Sequence, residues 1–567
     1  MIRRLNLCYG GRLPAEYRPI INRIVRETAG PFTRMIDRLS SRHKDNLDWW
    51  VSGPASRNTL ASPLFHYCCV LLLLLELRKT KVEFEEIEVD SVALQAIIKE
   101  QILNGDESIP VCLHPLSARA RLKKKLLLLY ALLYTPLLNL LPHLLITLLR
   151  YRPRIPRQGK LTLVDVFSDG RHIGAERYFP HLLDHLSADR RKFVFFVPTF
   201  VQPDILKLLR YIPTSFRRLP NRIYKECFLK WRDYLHAWLH WYRVRKLKIE
   251  ACRFASLELS ALVKEELRAF QVYDSSFKAI LNHCFAKRLK AAGVQLNLVI
   301  DWFENQSIDR GWNSGFRRYY AAVPTKGYQG YTVSPHYLCI SPSPMEVRCQ
   351  MVPHKLAVMG AALRSPATRF APLMKTEIAP AFRFSDVWNP SWENITAGNF
   401  AILVALPIAF RDVVYILDLV IKAAGEAAKE IEWRVKPHPA QNTQGLLPRY
   451  LRSSANIKTV AGRYEDWLEK SDLVVSTFSS VCLETLARGI PVAVIDNPRG
   501  PSQNPLPDHV DRRLVRTCRT AADLVAAIAA LRAIPIKDRL AIGRAIRQDH
   551  FTPVTTKGVR RFLDLPL

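Results

Sequence analysis

The chain has 567 residues, 49% hydrophobic and 24% charged, which argues against global disorder and leaves room for about two to four packed domains. Lys and Arg number 83 against 51 Asp and Glu, a formal charge of +32, so the partners to expect carry negative charge: polyanions, anionic lipid or phosphorylated substrates. Eleven cysteines without a CxxC pair argue against a disulfide scaffold and for core thiols in a reducing compartment.

In chain order, Met1-Ile2-Arg3-Arg4 is basic but no long apolar run follows, so no secretory leader is expected and the expected localisation is cytoplasmic. Asp48 to Ser52 (DWWVS), the polar stretch from Ala55 to Thr59 and the apolar run from Phe65 to Leu77 read as strand, loop and buried helix. Val82 to Val89 (VEFEEIEV) alternates apolar and acidic residues as a half-exposed strand does.

Residues 126 to 149 contain no formal charge, a length sufficient to cross a bilayer. Pro136, Pro142 and Asn139 interrupt the run, and both flanks are basic, with Lys123 to Lys125 before and Arg150, Arg152 and Arg154 after. Leu161 to Phe167 reads as a buried strand, and a single crossing would split its sheet across the membrane. A broken helix lying on or dipping into the cytoplasmic leaflet is therefore expected, with a core helix and a true span as alternatives.

Residues 205 to 250 interleave Arg217, Arg218, Arg222, Lys225, Lys230, Arg232, Arg243, Arg245, Lys246 and Lys248 with Trp231, Tyr234, Trp238, Trp241 and Tyr242. This composition suits a lipid headgroup layer or lipid-linked acceptor, and also nucleic-acid stacking or a solvated helix face. No recognisable nucleic-acid module accompanies it, so nucleic acid is not the expected partner.

From residue 296 the pattern becomes regular. Leu296 to Ile300 is a short strand ending in Asp301-Trp302-Phe303-Glu304-Asn305-Gln306. Lys355 to Met359, Ala401 to Leu406, Ile431 to Val435, Asp472 to Ser476 and Pro491 to Ile495 are further strands. Helices lie between them, one carrying Val413, Ile416, Leu417, Val420, Ile421 and Ala424 on one face. Such alternation implies a parallel doubly wound sheet, whose ligands bind beyond the carboxyl ends of the strands. Three polar groups stand there: Asp301 to Gln306; Lys436-Pro437-His438-Pro439; and Ser476-Thr477-Phe478-Ser479-Ser480, which opens a helix ended by Gly489. Hydroxyls at a helix start can complete a phosphate cradle, although Ser also caps helices without a ligand. His336, Cys339, Cys349 and His354 match no zinc spacing and are expected as packing residues, so no metal is expected.

The order strand–KPHP, then strand–STFSS with Glu484 and Gly489 downstream, resembles the donor lobe of GT-B glycosyltransferases. More narrowly it resembles bacterial sialyl- and polysialyltransferases, Kdo-transferase-like capsule proteins and glycerophosphotransferases of teichoic acid synthesis. Trp302 to Gln306, Gly330, Gly360 to Arg364 and the early DWWVSGPASRNTLASPLFHY stretch are similar to bacterial surface-carbohydrate biosynthesis proteins.

The resemblance implies two Rossmann-like domains facing a cleft: an acceptor-side domain over 1–345, with an apolar insert at 120–155 and a basic aromatic insert at 203–255, and a nucleotide-sugar domain over 346–567. It implies a metal-independent glycosyltransferase without cofactor, moving a sugar, a CMP-linked acid sugar by preference, to a surface polysaccharide or lipid-linked glycan at the inner face of the cytoplasmic membrane. His438, Ser479 and Ser480 would contact the nucleotide phosphate, Lys436 and Thr477 would lie beside it, and Glu484 would hold the ribose. Glu304 is the expected base and Asp301 its substitute; Ser168-Asp169-Gly170 is a less well spaced candidate, and Arg171 and Arg364 are unranked cations. The acidic-acidic-Gly triplet of the sialyltransferases is missing, and Ser476 stands eight residues before Glu484 where many retaining enzymes have a second Glu. The stereochemical course therefore stays open, as do a CDP-alcohol phosphotransferase, a non-catalytic scaffold and a basic polyanion binder.

Overall fold

Parallel strands covered on both faces read as nearly continuous β-branched and aliphatic runs, and this chain forms such strands wherever those runs occur. The computed structural model describes the chain apart from residues 1–3, 115–117, 169–175, 202–204, 219–220, 270–271, 333, 390–399, 408–409, 429, 439–446, 448–455, 478, 498–499, 503–505, 508 and 567.

Strands β1 (Arg4–Asn6), β2 (Glu86–Val89) and β3 (Val111–Leu113) pair in parallel as a small sheet, in the order β1-β2-β3. β4 (Leu161–Ser168) and β5 (Val194–Phe200) follow, then an antiparallel pair, β6 (Arg253–Phe254) and β7 (Leu257–Glu258). β8 (Leu296–Trp302), β9 (Thr325–Gln329), β10 (Lys355–Val358) and β11 (Lys375–Ile378) join β4 and β5 in a six-stranded parallel sheet, ordered β11-β10-β9-β8-β4-β5. A second six-stranded parallel sheet contains β12 (Ala401–Ala405), β13 (Glu432–Lys436), β14 (Ile457–Thr459), β15 (Leu473–Ser476), β16 (Val492–Ile495) and β17 (Val515–Cys518). Its order is β14-β13-β12-β15-β16-β17. Numbered within the sheet this is 3-2-1-4-5-6, the dinucleotide-fold order, and the first sheet has the flavodoxin-like start 2-1-3-4-5. The two Rossmann-like lobes expected of a GT-B-type architecture are thus present as two separate sheets.

The division of the chain differs from the expected one in two respects. β10 and β11 extend the first large sheet, so the sheets change after Ile378 and not at 345/346. The apolar KLAV segment pairs with β9, its neighbour in sequence, as consecutive elements usually do. The region before β4 is also a unit of its own. The β1–β3 sheet, helices Arg18–Arg42 and Leu64–Lys79 and the segment from Val244 to Leu267 share one core.

Two local expectations are replaced. Leu47–Trp50 is a helical turn and not a strand, because Asn46 Oδ1 caps it by accepting the amides of Asp48 (2.9 Å) and Trp49 (3.4 Å). Ala118–Leu148 is one helix with Pro136 and Pro142 inside it, where a broken helix is expected. Pro136 cannot bond the Leu132 carbonyl, and the Trp238 indole Nε1–H donates to that carbonyl instead, at 3.0 Å. The helix is continuous there because the basic aromatic segment supplies the missing donor.

The end of the chain returns to the first large sheet. Val559, Phe562 and Leu563 enter a core with Phe179, Tyr328 and Phe382. The Lys326 ammonium is buried beneath them, donating to the Phe562 carbonyl (2.5 Å) and to Asp564 (2.8 Å). This crossing carries the chain back from the second sheet onto the first lobe.

Candidate active site between the lobes

Each large sheet has one place where its strand order reverses: between β4 and β8 in the first, between β12 and β15 in the second. Loops leaving neighbouring strands there diverge to opposite faces and open a crevice at the carboxyl edge. The Phe303–Gln306 loop leaves β8 and the loop beginning at Thr477 leaves β15, so both motifs stand at a reversal point. His438 follows β13, two strand positions from β15. At roughly 4.8 Å per strand this is about 10 Å, a span suited to a nucleotide phosphate and its ribose.

Glu304 is half-buried and held on both oxygens. The Trp302 indole Nε1–H donates to Oε1 at 3.0 Å, and the Gln306 side-chain amide donates to Oε2. Its loop is fixed from below by Asp309, whose Oδ2 accepts the amides of Glu304 (3.0 Å) and Gln306 (2.9 Å). Burial raises the Glu304 carboxyl above its usual range, and the two donors and Arg383 offset part of that rise.

Asp301 lies elsewhere. It is 1% exposed, and its Oδ2 accepts from the Asn313 side-chain amide inside the sheet–helix interface. Burial and the neighbouring Asp309 and Asp165 push it well up, toward the neutral acid. The structure does not bring it to the cleft; it supports the loop that carries Glu304.

In the second lobe Ser479 and Ser480 are half-buried at the start of helix Val481–Ala487. The Ser479 hydroxyl accepts the Val481 amide at 3.4 Å, and no side-chain capping bond comes from Ser480. Thr477 is buried, and its hydroxyl meets no hydrogen-bond partner among the described residues. Ser476 donates to the Ala405 carbonyl at 3.2 Å and joins β15 to β12. Gly489 has φ +75 at the helix end, the left-handed residue the sequence predicts, and a Cβ there would stand 2.8 Å from the Arg539 carbonyl oxygen. Lys436 and His438 are half-buried, and burial lowers the Lys436 pKa while Glu465 opposes this.

Glu484 is 6% exposed and its carboxyl rises to about 7, first through burial and then through Glu465, against the opposing charges of Arg488 and Arg383. Arg488 Nη2 donates to it at 3.3 Å.

Sequence reasoning misses Arg383. It lies in the 3-10 segment Phe382–Trp388, which links the two sheets, so it belongs to neither motif-bearing lobe. Its guanidinium lies over the rings of Trp302 (5.6 Å), Tyr178 (5.9 Å) and Phe384 (5.9 Å). It is within electrostatic reach of Glu304 on one side and Glu484 on the other, while burial and Arg177 lower its pKa. Asp386 in the same segment pairs with Arg463 at 3.1 Å. The available signal is a charged residue alternating with aromatics in FRFSDVW, a pattern that a linker does not need.

Asp169, Gly170, Arg171 and Phe478 lie outside the described residues. Arg364 starts a short helix after β10. Of the residues considered for zinc, the Cys339 carbonyl accepts from Asn305 and the His354 ring bonds Thr325. No group of three or more His, Cys, Asp or Glu able to hold a metal occurs among the described residues. The early DWWVSGPASRN stretch supports the site from behind: Arg57, 1% exposed, donates to Glu346 at 2.8 Å, and Asn305 donates to the same carboxylate at 3.0 Å.

No protein-family model and no curated protein matches the chain. Partial likenesses occur among solved structures. MnaA of S. aureus in a co-structure with UDP is 11% identical, with 72% of this chain and 98% of that one covered and a TM-score of 0.42. MurG of Acinetobacter baumannii is 11% identical, with 71% and 99% covered and a TM-score of 0.40. The lipopolysaccharide outer core galactosyltransferase WaaB in its apo form is 11% identical, with 72% and 100% covered and a TM-score of 0.38. The two-lobed architecture itself rests on the strand orders.

Proposed function

We propose that this chain is a GT-B-type glycosyltransferase that moves a sugar from a nucleotide-activated donor to a glycan acceptor. The observation that carries the reading is the position of Arg383 over the Trp302 ring: its charge is influenced by Glu304, which follows the reversal-point strand of one sheet, and by Glu484, in the helix after the reversal-point strand of the other. A carboxylate from each lobe acting on one linker cation suits a reaction in which a donor on one lobe meets an acceptor on the other.

In this reading the acceptor hydroxyl enters beside Glu304. Trp302 and Gln306 fix the carboxylate rotamer, and the raised pKa makes it a better proton acceptor than an exposed glutamate. The acceptor oxygen bonds to the anomeric carbon, the bond from that carbon to the donor phosphate breaks, and the proton goes to Glu304. The electron pair leaves with the nucleotide phosphate, which Lys436, His438 and the Ser479 and Ser480 hydroxyls stabilise, with Thr477 beside them. Glu484 faces the ribose hydroxyls. The preferred donor, a CMP-linked acid sugar, and the acceptor, a surface polysaccharide or lipid-linked glycan, follow from the resemblance of the KPHP and STFSS motifs.

Thermal unfolding of the purified chain against CMP, CDP, UDP and GDP tests this, with His438→Ala run in parallel. A ligand that binds only the folded state at 100 times its Kd adds about 2.7 kcal/mol of stability. Stabilisation by one nucleotide, lost in His438→Ala, is the expected result and names the donor class. A folded sample indifferent to all four at millimolar concentration would sink the proposal.

A further inference from the structure

The helix Ala118–Leu148 has two different faces. Thr135, Asn139, His143 and Ile146 point to the first lobe: Asn139 donates to Asp274 (3.3 Å), His143 bonds the Glu226 carbonyl (3.0 Å) and Ile146 is 2% exposed. At 100° per residue the opposite face carries Leu126, Leu129, Leu133, Leu137, Leu144 and Leu148, every one between 54% and 78% exposed. Leu122, on the same face at 58%, extends this ridge. From Leu122 to Leu148 the ridge is about 39 Å long at 1.5 Å per residue. Water-facing leucines over that length are unfavourable unless something covers them.

Charge identifies the cover. Residues 118 to 160 contain ten Lys and Arg and no Asp or Glu. Arg150, Arg152, Arg154 and Arg157 are exposed just past the helix end. A second copy of the same face would bring cationic ends against cationic ends. A nucleic acid would leave the leucines uncovered. An anionic bilayer satisfies both the ridge and the charge.

We propose that this helix lies in the plane of an anionic phospholipid leaflet, its leucine ridge among the acyl chains and its arginine-rich end among the headgroups. It does not cross the bilayer, because Leu132, Asn139 and His143 hold its other face to the lobe by hydrogen bonds. An open cavity of about 550 Å³ at the arginine end is lined by His143, Thr147, Arg150, Tyr151, Arg152 and Glu226, and takes a lipid phosphate. The basic aromatic segment contributes less than its composition suggests. Lys225 is buried on Thr199 and Asn282, Arg243 holds Asp48 at 2.7 Å, and Trp238 completes the helix. The inference is independent of the catalytic reading.

Co-sedimentation of the full chain with vesicles tests it, comparing phosphatidylcholine alone with phosphatidylcholine mixed with phosphatidylglycerol. Wild type is expected on the anionic vesicles, with partitioning falling at high salt and roughly 10-fold weaker on neutral ones. Leu133→Glu/Leu137→Glu is expected to lose at least about 10-fold in partitioning, with circular dichroism and Tm unchanged because both sites are exposed. Arg150→Glu/Arg152→Glu is expected to bind anionic and neutral vesicles alike. Equal binding by wild type and the double leucine variant would overturn the proposal. So would a wild-type dimer that the leucine variant dissociates while neither binds vesicles, since a second copy would then be the cover.

Discussion

Arg57 and Glu346, 289 residues apart in sequence, meet at 2.8 Å with both side chains closed to solvent. The Arg310 guanidinium reaches the same carboxylate, and Ser343 adds its amide at 2.8 Å. The network ties the first small sheet's unit to the loop that carries Glu304. Glu346→Gln leaves two buried guanidiniums without a counter-charge, so it is expected to cost about 3–5 kcal/mol, read as a lowered urea midpoint. Despite the burial that opposes it, the arginines hold the Glu346 carboxyl below its ordinary 4.5. A depressed carboxylate contributes stability that is present above pH 4.5 and lost as pH falls through the folded value. The gap between wild type and variant is therefore expected to narrow in acid; a constant gap from pH 7 to pH 3 would contradict the assignment.

Glu484 predicts the opposite slope. Its pKa rises from 4.5 to about 7 on folding, so between those values the folded state binds more protons than the unfolded chain. Stability from this group is present below pH 4.5 and lost as pH rises through about 7, on the order of 3 kcal/mol in all. Glu484→Gln carries an offset of its own, because Arg488 then lacks its counter-charge. The offset does not titrate here, so the difference between wild type and variant should change with pH over that window. Parallel stability curves from pH 5 to pH 8 would show that Glu484 does not titrate near neutrality.

Much of the second lobe is legible because β12, β15 and β16 are buried on both faces, and AILVA, LVVS and VAVI can do little else in water. Gly489 is equally legible, since a left-handed helix end next to the Arg539 backbone admits only glycine. In the β1–β3 sheet only β2 is legible, through the alternation of VEFEEIEV; β1 and β3, three residues each, carry too little period to separate from loop. The turn at Leu47–Trp50 is hidden because DWWV has the composition of a strand, and the deciding group, Asn46, lies just before it. Arg383 is hidden for a third reason: the two carboxylates that act on its charge are distant in sequence and in different lobes. No spacing rule encodes an electrostatic influence exerted by a linker.

The crossing of helices Tyr273–Ala291 and Ser307–Tyr319 gives a packing prediction. A Cβ at Gly311 would lie 1.9 Å from the Ala279 carbonyl oxygen, a backbone atom that cannot rotate away. Gly311→Ala must separate the helices and disturb Asp309 and Asn313 beneath Glu304, so a loss of about 3 kcal/mol is expected, with reduced turnover. At Gly425, near the end of helix Phe410–Glu426, an added Cβ would meet nothing within 4 Å. Gly425→Ala is expected to be neutral or up to about 1 kcal/mol stabilising. Thermal unfolding of both variants checks the pair, and equal effects would mean the helix crossing is looser than described.

Glu304 and Arg383 should separate chemistry from positioning. Glu304→Gln keeps the bond from Trp302 and removes the base, so kcat should fall about 10²-fold or more with little change in KM. Its pKa is raised from 4.5, so wild-type kcat/KM should climb with pH through an acid limb above that value, and the limb should vanish in the variant. Arg383 acts through the carboxylates and the aromatic rings. Arg383→Lys keeps the charge but loses the guanidinium over the Trp302 ring, and Arg383→Ala removes the linker cation that acts on both carboxylates, leaving Glu484 its Arg488 partner. Removing that cation should raise both carboxyl pKa values, so the acid limb should move to higher pH in Arg383→Ala and less in Arg383→Lys. A fall in turnover with an unmoved limb would make Arg383 a hinge residue only. A shifted limb in a normally folded protein would place its charge between the two carboxylates during turnover.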